Sequence, residues 1–400
     1  METKKKQLAQ YFTTNCDYIF SDFNLDNKKY NFIEPFCGAK DLVNWIRSKE
    51  GLEDVSVEMY DLDPQTEDIV KQDTLLNPPE YKGKYVVTNP PFLARNKNKD
   101  KALYDKYEAN DLYKIFVKTI VEGEVEGGVI ILPLNFICAQ ESTIRNLFFS
   151  NYSITKLNIF EETVFKDTTY TICSFMFTKG KQKAKIPTTI FPSKKKIDLE
   201  LRSEWSWRPA GFLYEPRNKN NPYKIDRLVA PAEQEMLNLI NEVGDVITSC
   251  LGDQEREKAQ KFLTKLNTKS ENLKKTIQAK KTVIQKKTNI TNLYLRAVDS
   301  GTQNNRIGLE IKKEPFYGKL SDRVFATLTC NEKISNEEKV VKEFNERFEK
   351  LRKENNSLFL TNYRNSTSVY ARKRASFRMC YIIIENIIFE MNNKQNKENQ

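Results

Sequence analysis

The first 180 residues of this chain alternate short apolar runs with amphipathic ones. Asn31–Phe36 (NFIEPF), Val55–Asp61 (VSVEMYD), Lys84–Thr88 (KYVVT), Gly127–Pro133 (GGVIILP), Ile154–Phe160 and Tyr170–Thr178 read as strands. Between them Asp41–Lys49, Asn110–Val121 and Glu141–Phe149 carry helical spacing, with Asn110 placed to cap its helix. Strands alternating with helices predict an α/β domain with a mostly parallel sheet. The pattern weakens after Thr178. Lys179–Lys185 (KGKQKAK) reads as a linker, Gln254–Lys287 as a Lys-rich, helix-prone stretch, and Asn392–Gln400 as a polar tail. Glu337–Asn355 is strongly helical, with Val340, Phe344, Phe348 and Leu351 on one face. Two domains are therefore expected: residues 1–180, and residues 186–400 forming an α/β or mainly helical second region.

Composition changes this picture in three ways. The net charge of +11 points to a polyanionic partner, nucleic acid above all, although a Lys- and Asn-inflating coding bias would give the same figure. The chain has no histidine, which removes Ser-His-Asp and Cys-His nucleophiles, His-ligated metals and a His general base. Its 7 cysteines are scattered, odd in number and without a CxxC pair, as expected of a reduced compartment with neither a disulfide framework nor a zinc site. The lysines near the N-terminus precede no apolar segment, and no run of about 18 apolar residues occurs. A cytoplasmic location is expected, or a nuclear one in a eukaryotic or viral host, with no membrane partner and no metal.

Four short motifs end predicted strands, where ligands of open α/β sheets bind. Glu34–Leu42 (EPFCGAKDL) offers a tight turn at Gly38. Asp61 could face the two hydroxyls of a ribose, or merely cap the next helix. Asp73 could take an adenine amino group, or be a turn residue. Asn89-Pro90-Pro91-Phe92 is the sharpest signal. Its prolines remove two N–H donors and stiffen the chain, so the Asn89 amide and the Pro90 carbonyl can present acceptors beside an aromatic ring. That suits a planar amino group.

These residues resemble the S-adenosylmethionine-dependent N6-adenine DNA methyltransferases of the gamma class, the type found in type II restriction–modification systems and large DNA viruses. Gln10–Thr13 (QYFT) is similar to the family's N-terminal segment, Glu34–Leu42 to its first cofactor motif, and Asn89–Phe92 to its catalytic motif. The likeness continues through Leu112–Pro133 and Glu162–Lys166, and more loosely in Asn355–Arg364 and Tyr370–Phe377. It implies a Rossmann-like class I methyltransferase fold with a mixed sheet, followed by a target-recognition region. It implies S-adenosylmethionine held by Tyr11, Phe12, Thr13, Glu34, Pro35, Phe36, Gly38, Asp61 and Asp73. It assigns catalysis to Asn89, Pro90, Pro91 and Phe92, with Phe92 and Phe165 stacking on a flipped adenine. Double-stranded DNA is the implied partner, with a cognate restriction endonuclease as a genetic rather than physical one, and the chain is expected to be a monomer or weak dimer. Arg208, Arg217, Arg364, Arg372, Lys373 and Arg374 are candidate DNA contacts, while Trp205 and Trp207 read more readily as core.

One departure stands out: the family's second small residue is replaced in Gly38-Ala39-Lys40. Lys adopts positive φ less readily than Gly, so either the turn differs or cofactor binding weakens, while the matching Asp41-Leu42 argues that the turn is built. Two other readings share the motifs. The same NPPF sequence serves methyltransferases of RNA guanine N2 and of protein glutamine, and a chain that had lost its cofactor could be a nucleic-acid-binding scaffold. The basic second half favours DNA.

Overall fold

The computed structural model describes residues 13–25, 31–138, 143–165, 171–200, 217–228, 289–299, 307–313, 325–363 and 372–398. They divide into two compact units, Met1–Pro216 with Asp299–Asn305 and Arg352–Ser376, and Arg217–Val298 with Arg306–Leu351 and Phe377–Gln400.

The first unit opens with helix α1 (Cys16–Ile19) and runs β1 (Asn31–Glu34), α2 (Asp41–Arg47), β2 (Val57–Asp61), β3 (Val70–Lys71) and β4 (Lys84–Thr88). It continues through α3 (Ala102–Lys106), α4 (Leu112–Glu122), β5 (Gly127–Pro133), α5 (Asn135–Cys138) and α6 (Thr143–Asn151). Strands β6 (Tyr152–Phe160), β7 (Ile172–Lys179), β8 (Lys185–Phe191) and β9 (Lys195–Glu200) complete a nine-stranded sheet of order β3-β2-β1-β4-β5-β7-β6-β8-β9. Strands β1 to β5 are mutually parallel and β7 runs antiparallel to β5. This is a Rossmann-like mixed α/β sheet, as expected.

Every residue of β5 is buried, and its two leading glycines have a steric cause. A Cβ on Gly128 would lie 2.3 Å from the Val86 carbonyl oxygen, and one on Gly127 would lie 2.6 Å from that of Phe177. Strand β5 can therefore sit between β4 and β7 only if it starts without side chains.

Two expectations need correction. Asp111, not Asn110, occupies the capping position of α4, with extended backbone (φ −155°, ψ 148°). The Asn110 carbonyl instead accepts the Arg95 N–H (2.9 Å), which assigns it to the preceding loop. Nor does Lys179–Lys185 mark the end of the first unit. It is a turn from β7 into β8, which pairs in parallel with β6 and extends the same sheet. Exposed lysines there belong to a turn at the ends of two strands of one sheet, not to a linker.

The second unit contains an antiparallel sheet of β10 (Ile225–Arg227), β11 (Asn289–Arg296), β12 (Gly308–Ile311) and β13 (Phe325–Cys330) in the order β10-β13-β11-β12. Helix α7 (Glu337–Glu354) buries Val340, Phe344, Phe348 and Leu351 as its spacing predicts. Helix α8 (Phe377–Glu398) buries Ile383, Ile384, Ile387 and Ile388. A short pair, β14 (Thr361–Tyr363) and β15 (Arg372–Arg374), returns to the first unit. The stretch Gln254–Lys287 lies outside the described residues, as do Trp205 and Trp207.

Candidate active site

Strands β1 and β4 are parallel neighbours, with β2 and β3 continuing on one side and β5 on the other. That reversal of strand order is the switch point where open α/β sheets bind ligands. The turns leaving β1 and β4 carry the two strongest motifs of the sequence.

After β1, the fully buried Glu34 accepts Phe36 N–H (2.9 Å) and the Thr88 hydroxyl (2.6 Å) on Oε1, tying the ends of β1 and β4 together. Burial pushes its carboxyl up to about 8, against those two hydrogen bonds, and the Asp61 charge adds to the rise. Glu34 is therefore a neutral acid near pH 7. Gly38 (φ 52°) and Lys40 (φ 66°, ψ 19°) are both left-handed. The turn is built in spite of the side chain at position 40, and that side chain is used: Lys40 Nζ reaches Asp68 Oδ1 and Oδ2 at 2.6 and 2.7 Å. The Lys40 ammonium, with the Thr66 hydroxyl, holds the Asp68 carboxyl down to about 2.

At the tip of β2, Asp61 Oδ2 accepts Gly38 N–H and Oδ1 accepts Asp63 N–H, both at 2.8 Å. Asp73 builds the next turn by accepting Leu75 and Leu76 N–H on Oδ1 (3.1 Å each), and Thr74 ties that turn to the Pro35 carbonyl (3.0 Å). Each Asp is thus both a turn builder and an acid at the switch point. Sequence reasoning missed Leu62 and Leu76, which are 45% and 51% exposed. Leu62 follows Asp61 directly in the chain and Leu76 lies three residues after Asp73. The available signal was a leucine lodged between Asp61 and Asp63.

After β4, Asn89 Nδ2 donates to the Thr13 hydroxyl (3.0 Å). Thr13 is buried and its backbone N–H bonds the Asp41 carboxylate at the start of α2. The amide nitrogen of Asn89 is thereby committed, which fixes its oxygen as the acceptor edge. Phe92 is 1% exposed and meets Tyr113 edge-on, ring centroids 6.2 Å apart. The chain beyond is fastened at three points: Leu93 N–H to Asp111 Oδ1 (3.1 Å), Tyr104 hydroxyl to the Leu93 carbonyl (3.0 Å) and Leu112 N–H to the same carbonyl (3.2 Å). Burial raises the Asp111 carboxyl to about 6, opposed by Lys114. Phe165, just past β6, is buried at 6% exposure. Near it, Glu162 accepts the Tyr18 hydroxyl, whose ionisation burial and this contact push up to about 12.

The structure therefore brings Thr13, Glu34, Pro35, Phe36, Gly38, Asp61, Asp73 and Asn89–Phe92 together around two adjoining turns. Tyr11, Phe12, Arg208 and Arg364 lie outside the described residues. Arg217 is not available as a DNA contact in the way expected. Its Nε bonds Glu385 (2.7 Å) and its Nη2 bonds the Asn221 and Tyr223 carbonyls (2.8 and 2.7 Å), because the buried Glu385 needs a cation. Lys373 Nζ lies 3.6 Å from Glu161, and Arg372 and Arg374 flank it in β15. Among the described residues no acidic or cysteine cluster could hold a metal, and no helix is long and apolar enough to cross a membrane.

The site thus combines the switch point of a Rossmann-like sheet with an acid-lined turn after β1 and an Asn-Pro-Pro-Phe turn after β4. Residues 4–165 match the family model of the Eco57I restriction-modification methylase. No curated protein matches the chain. Solved structures with a partial likeness include a modification subunit assigned to a type I restriction enzyme of Vibrio vulnificus YJ016 (14% identity, 47% of this chain and 48% of that one, TM-score 0.36). Another is the type I restriction-modification methyltransferase subunit of Streptococcus thermophilus (12% identity, 46% and 48%, TM-score 0.34). The type IIL restriction-modification enzyme MmeI, in complex with DNA, is a third (12% identity, 60% and 44%, TM-score 0.33). The chain spans about half the length of these proteins or less.

Proposed function

We propose that this chain is a site-specific DNA methyltransferase that transfers a methyl group from S-adenosylmethionine to N6 of an adenine flipped out of a short duplex sequence. The observation that carries the reading is the Asn89 turn. One N–H of its amide is donated to Thr13, its two prolines supply no N–H, and the amide oxygen and the Pro90 carbonyl are acceptors. Such a turn receives an amino group and repels a carbonyl.

The residues around the first turn fit the cofactor. Asp61 offers acceptors to a ribose diol, Asp73 an acceptor for the adenine amino group, and Leu62 an apolar face for the ring. When bound, the cofactor supplies an electrophilic methyl group on a sulfonium, the hard part of the chemistry. The chain supplies position. The lone pair of adenine N6 is delocalised into the ring, and accepting its two hydrogens on Asn89 Oδ1 and the Pro90 carbonyl favours a pyramidal nitrogen with the lone pair free. No histidine base is needed, because the acidified N–H loses its proton after transfer. The amino group is paired inside a duplex, so the base must leave the stack. Phe92 and Phe165 are assigned as the two faces that receive it, each worth about 1–3 kcal/mol. The second unit, with Arg372, Lys373 and Arg374 of the first, is assigned to target recognition.

Expression in a bacterium without DNA methylation, followed by sequencing of modified bases, tests this directly. N6-methyladenine at one short recurring sequence is the expected outcome. Modified guanine in RNA, modified glutamine in protein, or no modification would overturn it.

A further inference from the structure

The chain leaving the Asn89 turn is strongly basic. Residues 95–106 (RNKNKDKALYDK) carry five basic and two acidic side chains. Arg95 is paired with Asp105 (2.8 Å), while Lys97, Lys99, Lys101 and Lys106 are exposed. This segment borders a cleft of about 610 Å³ whose lining includes the cations Arg95 and Lys114 and the acids Asp105 and Glu108. Burial lowers the affinity of Lys114 for its proton, with Asp111 opposing that loss.

We propose that this loop is a phosphate clamp, gripping the sugar–phosphate backbone of the target strand beside the extruded adenine. The proposal rests on the methyltransferase reading and adds the site where the catalytic unit itself holds DNA. Two observations carry it. The lysines begin five residues after Phe92, so whatever they hold is held within a short reach of Asn89. The loop is not a slack tether: Leu93, Arg95 and Tyr104 are hydrogen-bonded to Asp111, Asn110 and Leu93, so force on a phosphate is passed to the catalytic turn. Extruding a base costs a few kcal/mol, and contacts to the neighbouring phosphates offset that cost while carrying no sequence information.

The test compares two variants of equal charge loss. One is Lys97→Gln with Lys99→Gln and Lys101→Gln. The other is Lys181→Gln with Lys183→Gln and Lys185→Gln, in the turn from β7 to β8. Affinity for a mixed-sequence duplex of about thirty base pairs is measured across salt concentrations. Each lost phosphate contact lowers the slope of log K against log salt by about 0.9. The first variant should lose about 2–3 from the slope and weaken on all sequences alike, with unchanged cofactor affinity and melting temperature. The second should lose less than about 1. Phosphate-ethylation interference beside the methylated adenine should vanish in the first variant only. Equal effects of the two variants, or an unchanged slope in the first, overturn the clamp while leaving the transferase reading intact. A wild-type chain that methylates no DNA and binds none overturns both. The single variants Lys99→Gln and Lys101→Gln, each expected to lower the slope by about 0.9, keep the test open should the triple variant fold poorly.

Discussion

The turns after β1 and β4 leave neighbouring parallel strands at one edge of one sheet, yet they are made by opposite means. The first is rich in backbone donors and satisfies them with carboxylates: Phe36 N–H on Glu34, Gly38 and Asp63 N–H on Asp61. The second has its donors removed, by Pro90 and Pro91, and its one side-chain amide nitrogen is tied to Thr13. A turn that gathers acids suits a cationic, hydroxyl-bearing ligand. A turn stripped of donors suits an incoming amine. On the proposed reading, the two halves of the transfer reaction are separated by a single strand-to-strand spacing, and each half should fail alone.

The sharpest way to break that division is to remove one side chain from each turn. Asn89→Ala should lower the single-turnover rate of methyl transfer by roughly 100- to 1,000-fold, the usual loss for one preorganised polar contact. Its cofactor affinity, measured by calorimetry, should stay within about twofold. Asp61→Ala should weaken cofactor binding first. It should also cost stability, about 1–3 kcal/mol for each backbone N–H left without its acceptor. Retained activity in Asn89→Ala would end the assignment of the second turn, and unchanged cofactor binding in Asp61→Ala would leave Asp61 only a turn builder.

Gly128→Ala attacks the support under the second turn. The new Cβ would meet the Val86 carbonyl at 2.3 Å, and backbone cannot swing aside as a side chain can. Overpacking commonly costs about 1–3 kcal/mol, and a clash with sheet backbone belongs at the upper end. A drop in the urea midpoint, with activity falling in step, is expected. A variant as stable as the wild type would mean that β4 and β5 are not spaced as described.

Local signals made β4, β5 and both turns legible, because a buried parallel strand is a continuous apolar run and a turn is written in its own prolines and glycines. What escaped was non-local. Strand β8 contains Pro187 beside exposed lysines, and its place in the sheet comes from pairing with β6, which no periodicity within KIPTTIF reveals. Arg217 looked like a surface charge because its partner Glu385 is 168 residues away. The Thr13 contact that orients Asn89 spans 76 residues. Acids at strand tips were readable as acids, but not as the anchors of each other's turns.

The acid side of the comparison can be sharpened by pH. Glu34 has a folded-state value near 8 against an ordinary 4.5, so between those values the folded chain binds the proton that the unfolded chain has released. Stability from this group is full below about 4.5 and declines as pH rises towards about 8. Glu34→Gln cannot ionise, and its oxygen can still accept from Phe36 and Thr88. Urea midpoints of the two proteins should run close together near pH 5 and diverge in favour of the variant as pH approaches about 8. A residual slope should remain in the variant, since Asp111, raised to about 6, acts in the same direction. Parallel curves for the two proteins would show that Glu34 is ionised in its buried place.

The smallest effect belongs to Lys40, where the first turn departs from the sequence pattern it resembles. A non-glycine residue at φ 66° is strained by roughly 1 kcal/mol relative to glycine. The bridge to Asp68 gives back only part of this, because an exposed pair contributes little and is screened by salt. Lys40→Gly should therefore change stability by less than about 1 kcal/mol at moderate salt, with the sign moving towards stabilisation as salt rises. Melting curves at low and high salt provide the measurement. A salt-independent loss of more than about 2 kcal/mol would mean that the lysine stem packs, and that the turn depends on the side chain it was thought to tolerate. The Asp68 carboxyl, held near 2 by the Lys40 ammonium, should titrate closer to its ordinary value in the variant, which locates any change at that bridge and not at Gly38.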